Sequence, residues 1–378
     1  MSITVCAPDQ VAGLLPDALA GRRVLLPVPE PGDAAALRPD LPAEPDAAVI
    51  VTTSGSTGQP KGVVLSAAAM LASASATREY LGGPMRWYSP LPHHYVAGLM
   101  VLTRAIEAGT SAVTVARDLV DLPPAGLVEP RALSIVPTQL YRALDDPDLV
   151  ERLAGFDAVL VGGAATQPDL VDRARQAGVR VVLTYGMSET CGGCVYDGLP
   201  LPGVEVDLEP GVGRVRLAGP MLFSGYRLDP ELTAATLVDG QLLTRDHGEW
   251  VQGRLQLHGR LDDVVISGGV NVDLALVRQA CEQLQPGHTA VVAVPDAEWG
   301  QRIVLVTDSP AADGTAPLDT ADGTADELAG WRDRLAATGL GRAALPRHLV
   351  RLSQLPRTSS GKIDAQALTD QLSATEED

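Results

Sequence analysis

Residues 47–66, AAVIVTTSGSTGQPKGVVLS, run from a β-branched stretch through three hydroxyl residues into spaced glycines and a lysine. The apolar half predicts a strand over 47–53. In the turn that follows, residues 54–62, glycines at 55, 58 and 62 remove Cβ atoms, so backbone N–H groups and the hydroxyls of Thr53, Ser54, Ser56 and Thr57 can converge on phosphate oxygens. Lys61 adds a point charge. The string is not the G-x-x-x-x-G-K-[ST] loop, because Pro60 precedes the lysine and Gly62 follows it. Beyond it SAAAMLASASATREYL reads as a helix with Ser66 as N-cap.

Outward from this stretch the pattern is βαβ. VLLPV (24–28) is an earlier strand, separated from 47–53 by a Pro-, Asp- and Ala-rich connector. Downstream, RWYSPL, SAVTVA, RALSIVP, FDAVLVGG and VRVVLTYG read as strands, with VAGLMVLTRAIEAG, the segment through Tyr141 to Leu144 and QPDLVDRARQAG as helices. Such an order predicts buried, mostly parallel sheets flanked by helices, with ligands at the carboxyl ends of strands, after Thr53, Val161 and Tyr185. From about Leu201 short alternating runs between glycine turns predict a small antiparallel, barrel-like part. A boundary is expected at 259–270, giving a large N-terminal domain (1–258) and a small α+β domain (259–378). In the latter VNVDLALVRQACEQL is read as a helix, TAVVAVPD and RIVLVTD as strands, and 308–328 as a solvated acidic loop.

Composition narrows the function. A net charge of −18 opposes binding to nucleic-acid phosphates. Aromatics are only 3%, so a flat ligand meets few stacking partners. No run of about eighteen apolar residues occurs, which argues against membrane insertion, and the start lacks the plan of a secretory signal. A cytoplasmic address is expected; a homodimer is left open. Cys6, Cys191, Cys194 and Cys281 are too scattered for a disulfide framework. Cys191 and Cys194 form a CxxC, but a structural zinc site needs about four ligands and no second close pair exists.

Five strings lie in a fixed order: VTTSGSTGQPKGVVLS, TYGMSET (184–190), LLTRD (242–246), GRLDDVVISGGVNV from Gly259, and PRTSSGKID ending at Asp364. Together they resemble the adenylate-forming superfamily of acyl-CoA synthetases, luciferases and peptide-synthetase adenylation domains, over Val51 to Asp364. The resemblance implies an enzyme that uses ATP and Mg²⁺ to make an acyl-adenylate and passes the acyl group to coenzyme A. Thr53, Ser54, Gly55, Ser56, Thr57, Gly58 and Lys61 would cradle the phosphates, and Glu189 would hold the Mg²⁺. Gly162, Gly163 and Ala164, with Thr184, Tyr185, Gly186 and Ser188, would form the adenine slot. Asp246 would take the ribose hydroxyls with Arg260 nearby, and Lys362, on a small mobile domain, would meet the charge developing at the α-phosphate. Arg245 departs from the family's T-G-D, where a glycine stands. Asp262 matches the family's hinge residue, and Gly268 and Gly269 would let a pantetheine arm pass.

A family histidine lines the acyl channel; His94, rather than His93, is the better match. Within the superfamily, compactness and YGMSETCGGCVYDG followed by PLPGVEV most resemble the o-succinylbenzoate–CoA ligases of menaquinone biosynthesis. Cys191, Gly192 and Gly193 would then floor a pocket roomy enough for an aromatic ring. The second carboxylate of that acid needs a cation or several N–H donors. Ala97, Val101 and Arg104 share one helical face below His94, so Arg104 either supplies that charge or pairs with Glu107 at the surface. A ligase for another acid, or an adenylation enzyme that loads a carrier protein, shares the motifs. A non-catalytic nucleotide-binding module is disfavoured, since it would need neither Glu189 nor Lys362.

Overall fold

In the computed structural model the described residues are 1–54, 60–308, 320–357 and 363–374. They form two compact units, one taking residues up to Thr244 with Glu249–Gln256, the other taking Arg245–Gly248 and the chain from Leu257.

The first unit begins with β1 (Ile3–Cys6), β2 (Val24–Pro27), β3 (Ala47–Ser54) and β4 (Pro60–Ser66), and Gly225–Tyr226 completes a five-stranded sheet beyond β4. β1, β2 and β3 are parallel, whereas β4 returns antiparallel to β3 with Thr53 opposite Lys61 and Thr52 opposite Gly62. This corrects the sequence reading, which passed from the glycine-rich turn straight to a helix; GVVL is a buried strand too short to show a period. Gly62 is required where it lies, because a Cβ would come within about 3 Å of Ile50, Leu37 and Arg227.

A second sheet contains β5 (Arg86–Ser89), β6 (Ala112–Thr114), β7 (Arg131–Ile135), β8 (Ala158–Val161), β9 (Val181–Met187) and β10 (Gly192–Tyr196), in the order β10-β9-β8-β7-β5-β6 with Leu199–Pro200 outside β10. The five strands from β9 to β6 are parallel, as their continuous apolar runs predict, and β10 is antiparallel to β9. Helices α1 (Val11–Leu19), α2 (Ala67–Tyr80) and α3 (Val96–Glu107) fill the space between the sheets. Met70, Leu99 and Met100 pack with Val49, Val63 and Leu65 of the first sheet, while Ala76, Val101 and Ala105 pack with Trp87, Ala132 and Leu160 of the second. Ser66 caps α2, its hydroxyl accepting Ala69 N–H at 3.1 Å. The antiparallel part consists of Glu205–Leu208, Arg214–Ala218, Leu237–Val238, the long strand Gln241–Val251 and Arg254–Arg260.

The second unit is a six-stranded sheet with helices Leu274–Leu284, Ala325–Ala337 and Ala365–Ala374. Two readings are revised here. Val270–Asp273, assigned to a helix from sequence, form a strand, and the helix starts only at Leu274, where Asp273 caps it through Ala275 N–H. Within 308–328, read as loop, Thr320–Asp322 pairs with Leu352–Val350 and a helix begins at Ala325. The missed signal was Thr324-Ala-Asp-Glu327, a reciprocal cap in which Thr324 Oγ1 accepts Glu327 N–H and Glu327 accepts Thr324 N–H. The molecule is therefore the expected α/β protein, with a large N-terminal and a small C-terminal part. Among the described residues no helix is long and apolar enough to cross a membrane.

Candidate active site

Between β9 and β10 the chain turns a corner in one tight turn, Ser188–Thr190, with Cys191 in the left-handed region at φ 50°. The buried Thr190 hydroxyl makes this possible: it accepts Met187 N–H at 2.9 Å and donates to the Gly192 carbonyl at 2.7 Å. The corner turns Glu189 towards the segment after Met221. Phe223 N–H donates to the Glu189 carbonyl (2.9 Å), and the Tyr226 hydroxyl donates to Glu189 Oε1 (2.8 Å). On the same ring, Lys61 Nζ lies 5.9 Å from the Tyr226 centroid. Two residues singled out from separate motifs, Lys61 and Glu189, thus meet through a third that the sequence reading passed over; it belongs to a two-residue strand, Gly225–Tyr226, too short to show a period.

The neighbouring strand ends are lined by glycines because nothing else fits. A Cβ on Gly162 would fall 2.2 Å from Thr184 Oγ1, and one on Gly186 would fall 2.0 Å from the Gly192 carbonyl oxygen. Gly163 has φ +82°. Gly163 and Ala164 are exposed, and Thr184, Tyr185 and Ser188 are half-buried, so β8 and β9 end in a shallow, Cβ-poor slot. Among the described residues no three His, Cys, Asp or Glu side chains cluster as a metal cage. A single carboxylate is the protein ligand that Mg²⁺ uses when a triphosphate and water supply the rest, so Glu189 fits the ion. Gly55, Ser56, Thr57, Gly58 and the side chain of Ser54 lie outside the described residues, as does Lys362.

At the start of α3 the backbone packs closely on the preceding loop: a Cβ on Gly98 would lie 2.4 Å from the Pro92 carbonyl oxygen. His93 is directed to the Pro8 carbonyl (3.3 Å), a packing role. His94 lies against Tyr95 with ring centroids 4.0 Å apart and planes tilted by 47°, and its Nδ1 is buried with no partner among the described residues. Burial, and secondarily Arg117, lower its pKa, which favours the neutral ring.

Arg104 is not at the surface. Its residue is 5% exposed, and Glu107 pairs instead with Arg78 at 3.0 Å. The guanidinium lies 5.1 Å from the Trp87 ring centroid and Nη2 donates to the Tyr196 hydroxyl at 3.3 Å, while Nε has no partner. Among the described residues it meets no carboxylate. A Cβ on Gly192, at φ +84°, would lie 3.5 Å from Met100 Cγ and 3.8 Å from Nη2, so this glycine backs onto the cation. Cys191 and Cys194 are buried at 0% and 1%. Burial pushes the Cys194 thiol up to about 12 and Cys191 higher still, so neither is a ready thiolate.

In the second unit Arg260 grips Asp262 bidentately (2.9 and 3.0 Å) and lies 3.7 Å from Asp246, while Arg245 reaches Asp262 at 3.0 Å. Burial alone would raise the Asp262 carboxyl, but hydrogen bonds from Arg260 and Arg245 outweigh it and hold it low. The side chain that departs from the T-G-D pattern therefore has a partner in the chain. Gly268 and Gly269, at φ 59° and 76°, form the two-residue turn between Val264–Ser267 and Val270–Asp273. A Cβ on Gly268 would strike the Trp299 ring at 2.8 Å.

Comparison with known proteins identifies the family of the chain. The model of the AMP-binding enzyme family matches residues 10–227, and that of the AMP-binding enzyme C-terminal domain matches 287–362. A Mycobacterium tuberculosis protein named "Probable 2-succinylbenzoate--CoA ligase" is 39% identical over 346 residues, 88% of this chain and 86% of its own length. The 2-succinylbenzoate–CoA ligase of Escherichia coli is 34% identical over 269 residues, 67% of this chain and 57% of its own. The o-succinylbenzoate CoA synthetase of Bacillus subtilis, solved with its acyl-adenylate intermediate, shares the fold with a TM-score of 0.72 at 24% identity, over 98% of this chain and 82% of that one.

Proposed function

Because the chain belongs to the AMP-binding enzyme family, we propose that it joins o-succinylbenzoate to coenzyme A in two steps, as a ligase of menaquinone biosynthesis. In the first, a carboxylate oxygen of the acid attacks the α-phosphorus of ATP and pyrophosphate leaves; in the second, the thiol sulfur of coenzyme A attacks the acyl carbon, loses its proton and displaces AMP. The observation that carries the reading is the meeting of Lys61 and Glu189 on one tyrosine beside Cβ-free strand ends. Mg²⁺ bound with the triphosphate would be held by Glu189 and would neutralise charge on its oxygens.

Composition supports the same assignment. Of 29 basic residues only Lys61 and Lys362 are lysines, so arginine serves everywhere except in the two motifs where a compact, mobile ammonium suits phosphate oxygens. Lys362 is assigned from its motif to the bridging and phosphoryl oxygens of the transition state. Asp246 and Arg260 are assigned to the ribose, Asp262 to the hinge of a lid comprising residues 259–378, and Gly268 and Gly269 to the pantetheine path. For the acid, a buried guanidinium with no carboxylate of its own assigns Arg104 to the second carboxylate of the substrate, with Gly192 and Gly193 as pocket floor and a neutral His94 at the entrance. The reading includes a cytoplasmic address and allows a homodimer, which cell fractionation and sedimentation check.

Incubating the protein with ATP, Mg²⁺, coenzyme A and o-succinylbenzoate should give AMP and the thioester by mass. Thioester with other acids but not with this one would retain the class and overturn the substrate. Acyl transfer to a carrier protein but not to coenzyme A would overturn the second step.

A further inference from the structure

Tyr226 stands between the two charges that the proposed reaction needs most, and the inference here rests on that reading. The residue is firmly placed. Its backbone pairs with Val63 of β4, its N–H donates to Thr233 Oγ1 at 2.8 Å, and its ring packs edge-on to Phe223 with centroids 4.9 Å apart. Phe223 in turn binds the Glu189 backbone. The hydroxyl and the carboxylate are thus tethered to one segment, and their 2.8 Å hydrogen bond commits Oε1 while leaving Oε2 uncommitted by it. Lys61 sits on the ring instead of on the carboxylate, and no Lys61–Glu189 ion pair occurs among the described residues.

That separation has a chemical consequence. A lysine and a glutamate held at one ring attract each other, and a direct pair would occupy the oxygen a metal needs and the ammonium the phosphates need. A phenylalanine would hold the cation but not the carboxylate; a serine would do the reverse. We infer that Tyr226 is a positioning residue: its hydroxyl aims Glu189 at the metal, and its ring keeps Lys61 from closing onto that carboxylate.

The test separates the two tasks. Tyr226→Phe keeps the ring, so the Mg²⁺ concentration for half-maximal ATP–pyrophosphate exchange should rise roughly tenfold, with kcat at saturating Mg²⁺ within about twofold of the parent. Tyr226→Leu also removes the ring and should raise the KM for ATP at saturating Mg²⁺ by a further factor of about ten. A second readout needs no turnover: Mn²⁺ titrated into protein with a non-reacting ATP analogue and followed by electron paramagnetic resonance should bind roughly tenfold more weakly to Tyr226→Phe. An unchanged Mn²⁺ affinity in that variant, or a loss of kcat that no amount of Mg²⁺ restores, overturns the inference. Melting temperatures guard against a merely unfolded variant. If the parent exchanges pyrophosphate with no acid, the functional reading fails, while the Mn²⁺ titration still decides the part assigned to Tyr226.

Discussion

Replacing Arg104 by methionine is the most informative single change, because its effects on stability and on selectivity should differ in kind. Arg104 is 5% exposed, its guanidinium is neutralised by no carboxylate among the described residues, and its polar contacts amount to one 3.3 Å bond to Tyr196 and the Trp87 ring. An unpaired buried cation contributes little to folding, and a methionine of similar length fills its space; the melting temperature should move by only a few degrees, in either direction. Selectivity should suffer far more. A guanidinium–carboxylate contact shielded from water is worth about 3–5 kcal/mol when truncated, and at about 1.4 kcal/mol per factor of ten this becomes a loss of about 10² to 4 × 10³ in kcat/KM for o-succinylbenzoate. The comparison needs the two mono-acid analogues, each lacking one carboxylate, and uses whichever is still adenylated. That analogue should lose less than about threefold, since it never contacted the cation. Arg104→Lys should recover part of the loss. Equal losses for diacid and mono-acid would show that Arg104 merely braces β10 through Tyr196, and the carboxylate assignment would have to be abandoned.

Other expectations concern the frame around the site. Arg227, 4% exposed, donates to the carbonyls of Leu37, Arg38, Leu41 and Pro42 and pairs with Glu44. Arg227→Met should cost about 3–5 kcal/mol, seen by calorimetry as a melting temperature lower by roughly 10 °C; a shift under 2 °C would refute the stapling role. All four cysteines are buried, with pKa values raised by that burial, so iodoacetamide at pH 8 should label none in the native protein and four after unfolding, as counted by mass. Burial and Arg117 lower the pKa of folded His94, so the unfolded chain binds that proton more readily. Its contribution to stability is present above the ordinary value of 6.5 and is lost as pH falls below it towards the depressed folded value. His94→Gln should therefore flatten the dependence of melting temperature on pH between 7 and 5, and an unaltered slope would count against a buried neutral ring.

What is legible in the sequence shares one property: its cause lies within a few residues. The buried runs of β2 and β8, the cap at Ser66 and the alternation after Leu201 are set by local sterics and burial, and short windows display them. Motif residues such as Glu189 and Lys61 could be singled out for the same reason. What escaped depends on partners far along the chain. For Arg104 a surface pair with Glu107 at helical spacing stayed open beside the substrate role, whereas its hydroxyl partner is 92 residues away on β10. Tyr226 reaches Glu189 across 37 residues, and Arg245 reaches Asp262 across 17. Strand Pro60–Ser66 was hidden because the cap of α2 follows it at once. The division is physical: motifs mark groups that touch substrate, while the groups that aim them are chosen by tertiary packing and carry no local pattern. A tyrosine that must present a ring to a cation and a hydroxyl to a carboxylate is constrained by two partners, neither of them its neighbour in sequence, and so becomes visible only once the strands are laid side by side.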